Sequence, residues 1–408
     1  MDITINELGQ LTPDSYILLD MRGDVEVGHG IIPGAIHMSK EEILEKYSGG
    51  LVKADEQAAQ AREDLADKKL IIYCARGRIS QELAEELRDR GYDAFSLKGG
   101  YTAWLLEQMK NQQADEVCAQ VEKSIRKKFR KNIWCKFTKA INQYELVKEG
   151  DCIAVCISGG KDSMLMAKLF QELKLHNKFP FEVKFVVMDP GYSPENRKVI
   201  EENARKLKVP VHIFESDIFE SVYHIEKSPC YLCARMRRGY LYSHAKELGC
   251  NKIALGHHFD DVIETILMGM LYSGKVETMM PKLHSQNFEG MELIRPMYLI
   301  KESAIKAWRD TNGLHFIQCA CRFTENCVSC GGGRGSKRDE MKELVAQFRN
   351  TSSVIETNIF NSVRDINLRT VMGYHKDGEY YNFLDDYDDW GKTGHGENST
   401  EVSGESES

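Results

Sequence analysis

Cys152-Ile153-Ala154-Val155-Cys156-Ile157 runs straight into Ser158-Gly159-Gly160-Lys161-Asp162-Ser163, and a helix-patterned segment follows. A short unbroken apolar run that stops at a glycine turn is the pattern of a buried strand. Two glycines after such a strand let the backbone turn sharply and come close to an anion. The N–H groups of the turn and of the next helix then supply positive dipole, while Lys161 and the hydroxyls of Ser158 and Ser163 add donors. The run is neither the Walker-type phosphate loop nor the Rossmann glycine fingerprint. It reads as a pyrophosphate cradle, with every needed group inside six residues at a strand-to-helix junction.

Outward from this loop, Cys152–Ile157, Val183–Met188, Val211–Phe214 and Lys252–Leu255 form apolar runs separated by helical segments. That rhythm predicts βαβ units and a parallel sheet. Ligands of such sheets sit at the carboxyl ends of the strands, which makes Met188 a cofactor-binding candidate. It also draws in Leu255-Gly256-His257-His258-Phe259-Asp260-Asp261, again after a strand. Gly256 and His257 are cofactor-binding candidates, and a carboxylate such as Asp162 or Asp261 can hold magnesium or serve as acid or base. Lys161 is the candidate for stabilising transition-state charge.

The 408 residues suffice for two or three domains. No apolar run is long enough for a membrane span and no basic-then-apolar leader opens the chain, so a cytoplasmic location without membrane contact is expected. The net charge of −8 is uneven. The first 108 residues carry 12 Lys/Arg against 20 Asp/Glu, and residues 385–408 carry one against eight. The middle is therefore basic, which suits a polyanionic partner such as RNA, although an ordinary solvated surface fits the charge equally well. Residues 109–150 include the block Lys123, Arg126, Lys127, Lys128, Arg130 and Lys131, interleaved with Phe129, Ile133, Trp134 and Phe137. It reads as a basic amphipathic helical linker leading into the catalytic region at 151–350. Residues 351–384 form a C-terminal extension, and 385–408, acidic and rich in Ser and Gly, are expected to be disordered.

The 12 cysteines lack the layout of a small secreted disulfide framework. Cys230 and Cys233 stand one turn apart at the head of an expected helix, with Arg235, Arg237 and Arg238 close behind. Two thiolates at that spacing ligate zinc or iron, or cycle as a disulfide. Further ligands would come from Cys319, Cys321, Cys327 and Cys330. Three thiolates leave a 4Fe-4S cluster with an open iron and four close a zinc site, so the residues alone leave both open. The run Gly331-Gly332-Gly333-Arg334-Gly335 reads as a flexible loop. Near the amino terminus, Ile71-Ile72-Tyr73 leads into Cys74-Ala75-Arg76-Gly77-Arg78-Ile79-Ser80 and then a helix. A thiol at a strand end, cradled by N–H groups and flanked by arginines, is set up as a thiolate able to carry a persulfide.

These motifs carry resemblances. The Ser158–Ser163 loop resembles that of the PP-loop ATP pyrophosphatases, which implies cleavage of ATP between its α and β phosphates and adenylation of a substrate. Residues 1–108 resemble a rhodanese domain in Asp20-Met21-Arg22, Gly28-His29-Gly30, Pro33-Gly34-Ala35, the Cys74 loop and Lys98-Gly99-Gly100 through Trp104. Ile79 stands where that family usually has arginine, with Arg78 one residue early. From about Glu122 to Leu344 the chain resembles tRNA 2-thiocytidine synthetases of the TtcA type, in residues 230–242, 252–265, 270–283 and 294–302. The resemblance implies an α/β protein, a rhodanese-like domain followed by a PP-loop parallel-sheet domain of the adenine nucleotide α-hydrolase type. It implies ATP and Mg2+, and a 4Fe-4S cluster on Cys230, Cys233 and one later cysteine. Cys327, opening a C-x-x-C-G run, fits that position, with Cys319 as second choice. The expected function is adenylation and thiolation of a tRNA pyrimidine, cytidine first, with Cys74 relaying sulfur from a cysteine desulfurase or a small-molecule persulfide. A homodimer is compatible with all of this. Thiolation of uridine or of a non-tRNA substrate is the rival enzyme reading. A non-catalytic iron-sulfur or redox sensor is the rival from another class, separable by tRNA-dependent ATP consumption.

Overall fold

The computed structural model describes residues 1–48, 68–176, 179–216, 218, 229–317 and 337–389, with the backbone alone at 229–234 and 389. Two compact units emerge, one of residues 1–128 with 200–210, the other of 129–199 with 211–408.

The first unit runs β1 (Asp2–Ile3), α1 (Ile5–Gln10), β2 (Tyr16–Asp20), α2 (Asp24–Val27), β3 (Ala35–His37), α3 (Lys40–Lys46), β4 (Lys69–Tyr73), α4 (Arg78–Asp89), β5 (Ala94–Leu97) and α5 (Gly100–Arg126). Its five strands are all parallel, in the order β1-β5-β4-β2-β3. Successive β4 residues point to opposite faces, and both faces are covered. Leu70 and Ile72 pack with Leu19, Leu83 and Leu87, while Ile71 and Tyr73 pack with Ile3, Leu18 and Leu97. A strand buried on both sides needs an apolar run with no polar alternation, which Leu70–Tyr73 supplies.

The second unit runs α6 (Cys135–Gln143), β6 (Cys152–Ile157), α7 (Lys161–His176), β7 (Glu182–Asp189), α8 (Pro194–Lys206), β8 (Val211–Glu215), α9 (Pro229–Glu247), β9 (Lys252–Ala254), α10 (Phe259–Met268), β10 (Lys282–His284), β11 (Glu292–Ile294), α11 (Glu302–Thr311), α12 (Lys337–Thr351), α13 (Ile355–Ser362), β12 (Gly373–Lys376) and β13 (Glu379–Asn382). The main sheet has the order β10-β11-β9-β6-β7-β8, parallel throughout except for β10. β6 lies at the centre. The chain moves to β7 on one side of it and later returns to β9 on the other, so a crevice opens at the carboxyl ends of β6 and β9.

Between α5 and α6 the chain makes one wide helical turn at Arg130–Trp134. Phe129, Ile133 and Phe137 are buried there and serve as core, Trp134 is half-buried, and the cations of the basic block face solvent. Two short 3-10 turns, Phe383–Asp385 and Tyr387–Asp389, carry the described chain into the acidic tail, whose remainder lies outside the described residues, as does Gly331–Gly335. No helix among the described residues is long and apolar enough to cross a membrane.

Candidate active site

The turn after β6 closes on itself. Ser163 Oγ donates to the Gly160 carbonyl at 3.0 Å and accepts from Ser158 N at 3.1 Å, with Ser158 Oγ 3.2 Å away. Gly159 has φ +82°, a conformation that disfavours any side chain. The helix α7 starts at Lys161, so its free N–H groups open toward the crevice. Lys161 Nζ lies 3.1 Å from Asp162 Oδ2 and 3.1 Å from Glu302 Oε1 at the start of α11. Burial alone would lower the lysine, but these two carboxylates more than compensate and raise it. Burial likewise pushes Glu302 up, yet Lys306 and Lys161 hold it down at about 2. Glu302 had no motif to announce it. Its signal was only its place at the end of Ile294–Glu302.

The second wall comes from the turn after β9. A Cβ added to Gly256 would stand 3.3 Å from Ser163 N, so glycine lets this turn lie against the start of α7. His257 is half-buried, its Nδ1 enclosed without a hydrogen-bond partner, and loss of solvation drives it down to about 4, so it is neutral at pH 7. Asp261 accepts from the His258 N–H at 2.9 Å and pairs with Arg338 at 3.1 Å. Burial raises this carboxyl, and His258 and Arg338 lower it further, leaving it ionised. Asp260 turns away to accept from Glu302 N at 2.6 Å and to pair with Arg349. Arg295, buried near Asp261, falls to about 10 because burial strips its solvation, and its Nε has no partner.

Ser158, Asp162, Ser163, Met188, Gly256, His257 and Asp261 line one cavity of about 600 Å³. Arg237, Arg238 and Arg295 share it. On the other side of Asp162, a cavity of about 790 Å³ takes in Gly160 and Lys161 together with Glu302, Lys306 and Arg309. Cys230 and Cys233 stand one turn apart at the start of α9, and the cavity-lining Arg237 follows Cys233 by four residues, about 6 Å of helix rise. Cys319, Cys321, Cys327 and Cys330 lie outside the described residues.

In the first unit, Cys74 stands at the end of β4, 7% exposed. Its Sγ accepts from Gly77 N at 3.1 Å and from Ser80 Oγ at 3.5 Å. Burial would raise the thiol, but the Ser80 hydroxyl and the N–H groups of Ser80, Arg76 and Gly77 outweigh it and set the thiol below its ordinary value. The loop's carbonyls face the other way: Cys74 O accepts from Tyr101 N at 2.9 Å and Ala75 O from Thr102 N at 3.0 Å. Gly99 and Gly100, at φ +75° and +59°, bring the start of α5 against this loop. Arg76, Arg78 and Ile79 are exposed. Asp20, Arg22 and Tyr73 form a buried network behind the loop, with Arg22 also donating to Gly30 O at 2.7 Å and stacking over Tyr101.

A strand-end thiol loop on one sheet and a strand-end glycine turn that opens a helix on another define the class. The chain matches the rhodanese-like domain over residues 4–107 and the PP-loop domain over residues 129–322. A tRNA-cytidine(32) 2-sulfurtransferase from Syntrophotalea carbinolica is 35% identical over 237 residues, covering 57% of this chain and 88% of the relative. One from Burkholderia multivorans is 35% identical over 234 residues, covering 56% and 67%. Among solved structures, the U34-tRNA thiolase NcsA from Methanococcus maripaludis with its 4Fe-4S cluster aligns at 19% identity and a TM-score of 0.44, over 57% of this chain and 78% of that one. The chain belongs to the tRNA-cytidine(32) 2-sulfurtransferase family, and is a sulfurtransferase with a rhodanese-like domain ahead of its PP-loop domain.

Proposed function

We propose that this protein replaces the C2 oxygen of a tRNA cytidine with sulfur, after ATP has activated that oxygen. The observation that carries the reading is the cavity in which Ser158, Asp162 and Ser163 of the first turn meet Gly256, His257 and Asp261 of the second, and Arg237 and Arg238 of the helix that begins with Cys230 and Cys233. In the first step the C2 oxygen attacks the α-phosphorus of ATP and pyrophosphate leaves. The N–H groups at the start of α7 and the serine hydroxyls bind the departing pyrophosphate, and Lys161 offsets its growing charge. Arg295, a buried cation beside the cavity whose Nε has no hydrogen-bond partner, suits the α-phosphate. His257, being neutral, offers a hydrogen bond without competing for the same anion. In the second step sulfur at the sulfide level, released from the Cys74 persulfide when an external thiol reduces its S–S bond, attacks C2, and AMP departs with the former C2 oxygen, a far better leaving group than the oxygen alone.

Asp162 Oδ1 is buried without a hydrogen-bond partner, which fits a ligand to Mg2+ whose other positions are filled by phosphate and water. Among the described residues no group of three or more His, Cys, Asp or Glu is arranged around a metal, and a phosphate-held Mg2+ needs none. The two thiols one helical turn apart suit iron or zinc, and with Cys327 they would hold a 4Fe-4S cluster. When bound, that cluster supplies an iron with a free coordination position for sulfur. Cys74, as a thiolate, attacks the outer sulfur of a persulfide donor, either a cysteine desulfurase or a small molecule, and the donor's thiolate leaves. Nucleoside mass spectrometry of tRNA from cells with and without the gene tests the reading: 2-thiocytidine disappears with the gene, and its persistence refutes the assignment.

A further inference from the structure

A second cavity of about 600 Å³ in the PP-loop unit lies outside the active site, walled by α6, the start of α11 and the end of α13. Lys136, Lys139, Lys301 and Arg364 all line it, and none of its lining residues is acidic. Lys136 and Lys139 stand one turn apart on the exposed face of α6, while Phe137, Ala140 and Ile141 hold the other face in the core. Lys301 pairs with Glu356 at 2.6 Å, whereas Lys136, Lys139 and Arg364 form no ion pair among the described residues. Amides and hydroxyls complete the lining, including Asn132, Gln143 and Thr357. The floor is Phe129, Phe259 and Phe360, each at most 7% exposed, so little apolar surface is offered to a lipid.

We infer that this groove binds the phosphate backbone of the tRNA substrate. The inference rests on the proposed function, because it takes tRNA as the substrate and locates its docking surface. Unpaired cations on flexible stems, interspersed with neutral donors and free of carboxylates, are the footprint of phosphate contacts that position a nucleic acid without reading its sequence. Location favours the same occupant. Ser303, Ala304 and Ala307 of α11 face the groove, while Glu302, Lys306 and Arg309 of the same helix line the cavity beside Lys161. A strand held in the groove is thus one helix diameter, about 10–12 Å, from the PP-loop. At about 3.4 Å of axial rise per nucleotide, a few nucleotides span that distance. The tRNA backbone is held on one side of α11 while its target base reaches past that helix toward the PP-loop.

The test uses the full chain and an unmodified tRNA transcript, with affinity measured across a potassium chloride series. In K136E/K139E/R364E we expect affinity to fall on the order of tenfold or more at physiological salt, and the slope of log affinity against log salt to shrink by about 2 to 3. KM for tRNA rises while KM for ATP stays as in the wild type, since none of the three lines the nucleotide cavity. K136Q/K139Q/R364Q, which adds no repulsion, loses the same slope with a smaller drop in affinity. Exposed Lys246, outside the groove, serves as control, and K246E leaves the slope unchanged. Wild-type protein that thiolates tRNA while the triple variants keep its slope and affinity overturns the groove and leaves the proposed function standing. Wild-type protein that neither binds nor thiolates tRNA overturns the proposed function, and the groove with it.

Discussion

The Cys74 loop and the Ser158–Ser163 loop share a plan, a parallel strand ending in a glycine turn that opens a helix, yet they dispose of their N–H groups differently. In the first unit the donors converge on an atom the protein owns, the Cys74 sulfur. In the second, one serine hydroxyl closes the turn, and the start of α7 is left for a ligand. The bracing differs as well. Backbone packed against backbone fixes the thiol loop through Gly77, Gly99 and Gly100, whereas side-chain charge holds Lys161 between Asp162 and Glu302. The thiol loop is thus fixed by close backbone packing, whereas the second loop is held by side-chain contacts that can be exchanged.

The largest expected effect separates the two loops by function. Lys161→Ala lowers the rate of tRNA-dependent pyrophosphate release by roughly 10²- to 10³-fold, in line with loss of one charge-stabilising donor. Loading of Cys74 with sulfur, followed by mass spectrometry of the intact protein, is unaffected. A comparable loss of loading would erase the division of labour.

Next comes the rigidity of the thiol loop. A Cβ at Gly100 would overlap the Cys74 carbonyl oxygen and come within 2.7 Å of Gly77 N, at a φ of +59° that also opposes a side chain. Gly100→Ala should destabilise the first unit by about 2–4 kcal/mol, combining backbone strain with overpacking. Gly256→Ala, whose Cβ meets its nearest neighbour at 3.3 Å, should cost under about 1 kcal/mol. Calorimetric unfolding of the two variants checks the ordering, and equal losses would break the contrast.

The charge-held loop has a pH signature. Glu302 is at about 2 in the folded protein against an ordinary 4.5. A carboxyl lowered on folding contributes stability that is fully present above its unfolded value and is lost as pH falls through its folded one. The wild type therefore loses on the order of 1 kcal/mol between about pH 4.5 and 2, after allowance for solvent screening at this partly exposed site. Glu302→Gln removes that part of the pH dependence in acid-unfolding curves.

The smallest effect probes the thiolate. Ser80→Ala deletes a donor to Cys74 Sγ, so the thiol moves up and its alkylation by iodoacetamide at pH 7 slows a few-fold. An unchanged pH profile of alkylation would show that the backbone N–H groups alone set the thiol.

Much of the fold was readable locally. Cys152–Ile157 is a strand with the bounds its apolar run predicts, and Cys230 and Cys233 do open a helix. Asp377-Gly378, both at positive φ, make the tight turn of the β12–β13 hairpin, a turn that the Asp-Gly pair itself signals in the sequence. The basic block shows the opposite failing. Phe129, Ile133 and Phe137 interleave with cations in the sequence, but periodicity does not say whether an apolar face meets RNA or its own core, and here it meets the core.

By itself, the sequence determined what is covalent and local: a thiol after one strand, a Ser-Gly-Gly-Lys turn after another, and two cysteines one helical turn apart. Glycine placement and apolar run length act over a few residues, so they can be read without a partner in space. Only the tertiary structure decided that Glu302, about 140 residues beyond Lys161, would hold that lysine, that His257 would be neutral, and that Arg295 would line the cavity with an Nε lacking a hydrogen-bond partner. Those properties depend on burial and on charges brought together by strand order, and strand order is a property of the whole chain.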